Sequence, residues 1–239
     1  MDYKITGDNL QFVNIELSPG EKIYAEAGTM AYMTGNVAIV AKARGGVWKG
    51  IKRKFTGETF FLTEFVAQDG DGVIGFGGNV PGKIVALDLR GGKSWFLQKD
   101  AFLCAEDRVE MDLAWQKRLG GAFFGGEGFI IQKVWGDGTV FIHAPGDFVE
   151  MNLNVGELVK VSTGNAVAWE NSVDYDIQTI GGIKTAFFGG EGFFVTTLQG
   201  PGRVILQSMT LPQLANALVP FLPRQSSGSQ GVGIRVGGR

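Results

Sequence analysis

The eight residues AFFGGEGF at positions 122–129 occur again, letter for letter, at positions 186–193. A looser form, F-x-G-E-x-F, begins three times, at Phe55, Phe124 and Phe188. A motif that returns at a nearly constant spacing indicates an internal repeat and not a single functional loop. The repeated positions are Phe55, Gly57, Glu58, Phe60, Phe124, Gly126, Glu127, Phe129, Phe188, Gly190, Glu191 and Phe193.

Further matches surround each copy of the motif. The stretches FVNIEL, IVALDL and FVEMNL lie upstream, and GDGVIGF, GDGTVFI and GPGRVIL lie downstream. When the upstream stretches are aligned, a leucine, a glycine and a valine coincide in all three copies: Leu17, Leu89 and Leu153; Gly20, Gly92 and Gly156; Val37, Val109 and Val173. These landmarks keep the same order each time, so we predict three modules at about 1–79, 80–143 and 144–210 in one domain, residues 1–223.

The modules are predicted to consist of antiparallel strands. Val13, Ile15 and Leu17 alternate with polar residues, and the aligned residues of the other copies repeat the pattern. Alternation with a period of two indicates strands with one buried face, as in a β-sandwich or barrel. Helical periodicity is confined to LPQLANALVPFLP at 211–223, a short helix interrupted by Pro220, and the Gly/Ser-rich residues 224–239 are expected to form a flexible tail. The predicted fold class is therefore all-β with a short C-terminal helix.

These motifs resemble a known family. LSPGE, FTGETFF, the paired FFGGEGF and GELVKVSTGNAVAWE at 156–170 are similar to the altered-inheritance-of-mitochondria twenty-four family, and the resemblance covers nearly the whole chain. It implies a β fold like that of the tryptophan RNA-binding attenuation protein, and a tendency to form trimers. For mitochondrial relatives it implies a role in inner-membrane organisation and respiratory-chain assembly. It supplies no catalytic residues.

The residues for catalysis and metal binding are scarce. The chain has one histidine, His143, and one cysteine, Cys104, whereas a structural zinc site needs four such ligands. We expect His143 to bond a neighbouring backbone group at a strand end, and Cys104 to behave as a small buried hydrophobe. No G-x-S-x-G or Walker motif is present. The sequence therefore predicts no catalytic residue, no metal, no cofactor and no enzyme activity.

Glu58, Glu127 and Glu191 occupy equivalent places in the three motifs. A catalytic pair of carboxylates needs two unlike environments, and equivalence predicts one structural role performed three times. The favoured hypothesis is that each glutamate accepts backbone N–H bonds from a glycine-bent turn. A ligand shared on a pseudo-threefold axis is the alternative. The neighbouring phenylalanines are assigned to the core or a subunit interface in preference to a membrane-contacting tip.

One stretch breaks the equivalence of the copies. Residues 42–55 carry six cations and no acid, and the corresponding parts of the other modules are much less basic. Contact with anionic lipid, contact with RNA phosphates, and a solvated hairpin remain three alternatives for this stretch. The cations are Lys42, Arg44, Lys49, Lys52, Arg53 and Lys54.

Composition sets the remaining expectations. The net charge is −2, which gives no global attraction to nucleic acid, and the first residues have neither secretory nor transit-peptide character. We predict a cytoplasmic, non-enzymatic scaffold or binding protein that forms a homo-oligomer, preferably a trimer, and can associate with anionic membranes. An RNA-binding or small-ligand-binding β protein is the alternative, although neither nucleic acid nor a small-molecule substrate is the expected partner.

Overall fold

The computed structural model describes residues 1–40, 62–117, 129–180 and 193–222. Within these ranges the chain forms nineteen strands and one α-helix, which confirms the predicted all-β fold with a short C-terminal helix. The first strands are β1 (Asp2–Thr6), β2 (Phe12–Leu17), β3 (Lys22–Glu26), β4 (Met30–Met33), β5 (Val37–Val40), β6 (Leu62–Ala67) and β7 (Gly72–Gly77). The next are β8 (Gly82–Asp88), β9 (Ser94–Gln98), β10 (Phe102–Glu106), β11 (Val109–Lys117), β12 (Phe129–Gly136) and β13 (Thr139–Pro145). The last are β14 (Phe148–Leu153), β15 (Leu158–Ser162), β16 (Ala166–Glu170), β17 (Asp174–Ile180), β18 (Phe193–Gln199) and β19 (Gly202–Gln207), followed by helix α1 (Leu211–Leu218).

The described strands form four sheets. The first sheet has the order β1-β2-β7-β4, and the second has the order β5-β6-β3-β10-β13-β8. The third has the order β11-β12-β9-β16-β19-β14, and the fourth has the order β15-β18-β17. The ladders between these strands are antiparallel, as the alternation of residues predicts.

One pairing scheme recurs along the chain. Among the six strands β2–β7, the sixth strand lies between the first and the third. The fifth strand lies between the fourth and the second. The same relations hold for β8–β13 and for β14–β19. A register shift also recurs at the third strand, between Met30 and Tyr32, between Phe102 and Cys104, and between Ala166 and Ala168. We refer to these three groups of six strands as units one, two and three.

Two ladders join successive units. In the first junction β3 of unit one pairs with β10 of unit two, and in the second junction β9 of unit two pairs with β16 of unit three. The registers correspond, because Ala25 faces Cys104 and Leu97 faces Ala168. Each six-stranded sheet is consequently shared between two units.

Three hydrophobic cores lie between the four sheets. One core combines residues of the first and second sheets, including Ile15, Phe65 and Phe76. The next combines the second and third sheets, and the last combines the third and fourth. Adjacent cores therefore lie on opposite faces of one shared sheet.

The aligned glycines and valines have defined places in these units. Gly20, Gly92 and Gly156 have φ values of +81°, +81° and +78°, a backbone conformation that favours glycine, and each lies in the turn after the first strand. The aligned valines are buried. Each valine packs against a glycine of its own unit. A Cβ atom added to Gly72, Gly138 or Gly202 would lie 2.5, 3.2 or 2.7 Å from Cγ2 of Val37, Val109 or Val173, respectively.

Unit three departs from the predicted alternation at Val149, which is 51% exposed although the aligned Val13 is fully buried. The prediction of a buried side chain at Val149 was wrong because β14 is the edge strand of its sheet, whereas β2 lies between β1 and β7. At the C-terminus α1 ends at Leu218, and a 3-10 turn (Val219–Phe221) containing Pro220 follows. Within the described ranges, no helix has the length and apolar character to cross a bilayer.

The glycine–valine contact gives a graded prediction. Gly72→Ala places a methyl group 2.5 Å from Val37 Cγ2, whereas the nearest atom to a methyl group in Gly138→Ala is 3.0 Å away. Overpacking costs roughly 1–3 kcal/mol, so Gly72→Ala is expected to lower the free energy of unfolding by that amount and Gly138→Ala by less. Urea denaturation measures both, and equal losses would contradict the contact as the cause.

Candidate functional site

The repeated motif and the basic stretch lie almost wholly outside the described residues. Of the motif, Phe129 begins β12 and is buried, and Phe193 begins β18. The remaining motif positions and all six cations, from Lys42 to Lys54, are outside these ranges. The predicted roles of the three glutamates and of the basic stretch therefore stay predictions.

Within the described residues, polar chemistry collects on one face of β3 at the first junction. Lys22, Tyr24 and Glu26 alternate along β3 and so share a face, and Glu64 lies opposite Tyr24 on β6. Lys22 Nζ lies 3.2 Å from Glu64 Oε1. The residues that face the core of unit one from β3, Ile23 and Ala25, are fully buried.

Tyr24 connects this face to unit two. It is fully buried, and its hydroxyl donates a hydrogen bond of 2.9 Å to the backbone carbonyl of Val109. Its ring stacks on Phe102, with 5.7 Å between centroids and an interplanar angle of 17°. The phenol thereby satisfies a carbonyl at the start of β11, 85 residues away in sequence. The face therefore has a rigid aromatic centre.

Glu26 ends β3 beside this aromatic pair. The pKa of Glu26 is raised from 4.5 to about 7, mainly by burial; the negative charge of Asp100 contributes to the rise, and the positive charge of Lys99 opposes it. Both charged neighbours belong to a 3-10 turn (Lys99–Ala101) between β9 and β10. A carboxyl group contributed by unit one thus titrates near neutral pH against charges contributed by unit two.

The corresponding positions differ in the other units. At the second junction β9 occupies the place that β3 has at the first, because it pairs with the fifth strand of its own unit and the third strand of the next. Phe96 therefore corresponds to Tyr24, and Gln98 corresponds to Glu26. Phe96 packs against Trp169 and Tyr175 at centroid distances of 6.1 and 5.2 Å, and Lys133 Nζ lies 5.7 Å from the Phe96 centroid. The second junction is therefore an aromatic cluster without a carboxyl group at the equivalent position.

Two further groups were considered from the sequence. His143 lies on β13, and its pKa is lowered by burial while a hydrogen bond with the backbone of Val80 opposes the shift, which confirms the expected backbone partner. Cys104 is a fully buried free thiol whose pKa is raised by burial, as expected of a small hydrophobe. Neither residue is among the charged groups that affect the pKa of Glu26.

The chemistry at the first junction is that of one proton-binding carboxyl group. Among the described residues, no cluster of three or more His, Cys, Asp or Glu side chains could hold a metal ion. Sequence reasoning missed Glu26 because it lies on the polar side of an alternating strand, which predicts exposure to solvent. The signal available was the difference between Glu26, Gln98 and Ser162 at aligned positions.

The raised pKa of Glu26 predicts a pH-dependent stability. The folded state binds the proton more tightly than the unfolded state, so this contribution is complete below pH 4.5 and is lost as the pH rises through about 7. Glu26→Gln is expected to increase the free energy of unfolding by roughly 1–3 kcal/mol at pH 8 and to leave it nearly unchanged at pH 4.5.

Chemical denaturation across this pH range measures the effect. Glu110→Gln makes the same charge change at an exposed position and is the matched control. Stability curves for Glu26→Gln and the native protein that stay parallel between pH 4.5 and 8 would show that Glu26 is not the titrating group.

The comparisons with known proteins agree with this architecture. Residues 3–209 match the family described as Mitochondrial biogenesis AIM24. An uncharacterized protein of Streptococcus pyogenes serotype M6 is 33% identical over 229 residues, which are 92% of this chain and 90% of that protein. A Streptococcus pyogenes protein whose crystal structure was solved by a structural genomics consortium is 31% identical, with a TM-score of 0.76 over 92% of this chain and 99% of that chain. The chain belongs to the AIM24 family.

Proposed function

We propose that this member of the AIM24 family is a non-enzymatic cytoplasmic scaffold that forms a homo-oligomer and contacts anionic membrane surfaces peripherally. The observation that carries the proposal is the apolar C-terminal helix. None of the residues of α1 or of the following 3-10 turn is buried. The exposed apolar side chains are Leu211 (42%), Leu218 (52%), Val219 (59%), Phe221 (84%) and Leu222 (61%).

The sequence of α1 suits an interfacial position. A capping box fixes its start, because Gln213 N–H donates to Thr210 Oγ1 at 3.2 Å and Thr210 N–H donates to Gln213 Oε1 at 2.9 Å. Leu211, Leu214 and Leu218 recur at a helical spacing and place apolar side chains along one face. Contiguous exposed apolar surface of this kind marks protein or membrane contacts. A helix that lies in the membrane interface buries such a face among lipid chains.

The basic stretch supplies the second contact in this proposal. Its six cations precede β6, and near an anionic membrane each is worth about 1 kcal/mol. Stable peripheral binding usually needs two signals, one apolar and one electrostatic. The combination of α1 and the basic stretch therefore favours lipid over RNA, which would use the cations but has no need of an apolar helix.

The scaffold part of the proposal rests on the recurring pairing scheme. We propose that the three units are internal repeats of a single β module related in fold to the tryptophan RNA-binding attenuation protein, and that copies of the chain assemble, with a trimer preferred. The last position of the second strand differs between the units: it has a carboxyl group in unit one (Glu26), an amide in unit two (Gln98) and a hydroxyl in unit three (Ser162).

The membrane contact is tested by co-sedimentation with phosphatidylserine-containing vesicles and with neutral vesicles. We expect the native protein to bind the anionic vesicles at low salt and to be released at high salt. Neutralising Lys52, Arg53 and Lys54 to Ala is expected to weaken binding at least tenfold, since three contacts of about 1 kcal/mol are lost. Phe221→Glu is expected to weaken it independently.

A charge-matched control separates position from net charge. Lys4, Lys93 and Arg108 are exposed, and their joint replacement by Ala removes the same charge elsewhere on the protein. Equal loss of binding in both triple variants would overturn the assignment to the basic stretch. Retention of RNA but not of vesicles in parallel binding assays would favour the alternative of an RNA-binding protein.

A further inference from the structure

Two edge strands stand apart from the others in this structure. The fourth strands of the three units, β5, β11 and β17, are at sheet edges in every case, and so are the first strands β8 and β14. The second strands β3 and β9 and the third strands β10 and β16 are instead interior, because they pair with each other at the junctions. Of the strands that the structure describes, only β15 and β4 lie at edges where their counterparts lie inside a sheet.

The two strands are complementary members of the same junction. β15 is the second strand of unit three and corresponds to β3 and β9, while β4 is the third strand of unit one and corresponds to β10 and β16. Among the described strands β15 has one ladder partner, β18, and β4 has one, β7. The described strands thus form two completed junctions and provide the two halves of another.

The backbone of β15 presents hydrogen-bonding groups to its open side. The carbonyl of Glu157 accepts a bond of 2.8 Å from Gly200 N–H and so faces β18. Alternation then directs the N–H and C=O groups of Leu158, Lys160 and Ser162 away from β18. At the completed junctions the corresponding carbonyls of Lys22 and Ser94 accept bonds from Asp107 (3.2 Å) and Asn171 (2.9 Å).

We infer that β15 of one copy pairs with β4 of a second copy of this chain, in the antiparallel register of the two internal junctions. That register places Val161 opposite Tyr32 and Lys160 opposite Met33, as Ala25 is opposite Cys104 and Tyr24 opposite Ala105. Pairing would cover two exposed apolar side chains at these edges, Leu158 (51%) and Tyr32 (48%). The inference deepens the homo-oligomer of the proposed function and rests on it.

A head-to-tail contact of this kind is heterologous, since each copy contributes a different surface to each of its two neighbours. Such contacts either close into a ring or continue as a filament, depending on the rotation between copies. A closed trimer is the form that agrees with the proposed oligomer. The pairing of β15 with β4 does not require the copies to close into a ring, so the pairing can be tested separately from the number of subunits.

Cysteine crosslinking tests the register. In the double variant Met33→Cys/Lys160→Cys, pairing brings the two thiols of neighbouring copies within the roughly 4.4–6.8 Å Cα separation that disulfides span. Mild oxidation is expected to convert the 25.7 kDa chain into covalent dimers and larger species. The native Cys104 is buried and serves as an internal blank. The control Met33→Cys/Asp176→Cys moves one thiol to β17, across β18 from Lys160, and is expected to give no crosslink.

A proline variant tests the backbone bonds. Lys160→Pro removes an N–H group that faces the open side of β15. The N–H and C=O groups of Val159 and Val161, which face β18, are unchanged. We expect light scattering to show loss of the oligomer to a 25.7 kDa monomer, with an unchanged circular dichroism spectrum, while Lys160→Thr assembles normally.

The outcomes distinguish this inference from the function on which it rests. An oligomer that forms without the crosslink, or that survives Lys160→Pro, would overturn the edge pairing and leave the proposed oligomer in place. A crosslink within a single chain would overturn the inference as well, because β15 and β4 would then be partners in one molecule. A native protein that is monomeric at all concentrations would overturn both proposals.

Discussion

The antiparallel pairing of β3 with β10 and of β9 with β16 is the constraint on which the rest of the structure depends. These ladders place halves of two units in one sheet, so that each six-stranded sheet has a hydrophobic core on both faces. A strand in the interior of such a sheet can therefore be apolar on both faces. All seven residues of β13 are buried for this reason, including His143, although strands of a single sandwich would alternate.

The junctions also explain how much of the fold the sequence could predict. Local features were readable, because Gly20 and its counterparts serve a turn, and the aligned valines pack on glycines within their own unit. The sharing of sheets could not be predicted, because Ala25 and Cys104 are 79 positions apart (104 − 25) and no residue pattern marks them as partners. Edge positions follow from the same pairing, which is why Val149 was wrongly expected to be buried.

The candidate site was harder to predict than the fold. The pKa of Glu26 is raised mainly by burial and further by Asp100 of unit two, while Lys99 opposes the rise; the sequence around Glu26 contains neither charged residue. The same junction stacks Tyr24 on Phe102 and gives its hydroxyl a carbonyl partner in β11. A polar residue on an alternating strand is ordinarily solvated, and only the junction identifies Glu26 as a partly buried group with a raised pKa.

Unit one differs from units two and three at the third-strand position that forms the internal junctions. At the third-strand position after the register shift, Cys104 and Ala168 are fully buried against the neighbouring unit, whereas unit one has Tyr32, which is 48% exposed and donates a hydrogen bond to Asn14 Oδ1. Its ring lies over Gly75, where Phe141 and Ile205 occupy the paired positions of the other units. At this position unit one therefore has a half-exposed, hydrogen-bonded side chain where units two and three have buried apolar ones. A strand that pairs with β4 in the register of the internal junctions would cover the Tyr32 ring. The Tyr32 hydroxyl already donates to Asn14 Oδ1, so covering it would leave no unpaired hydroxyl group.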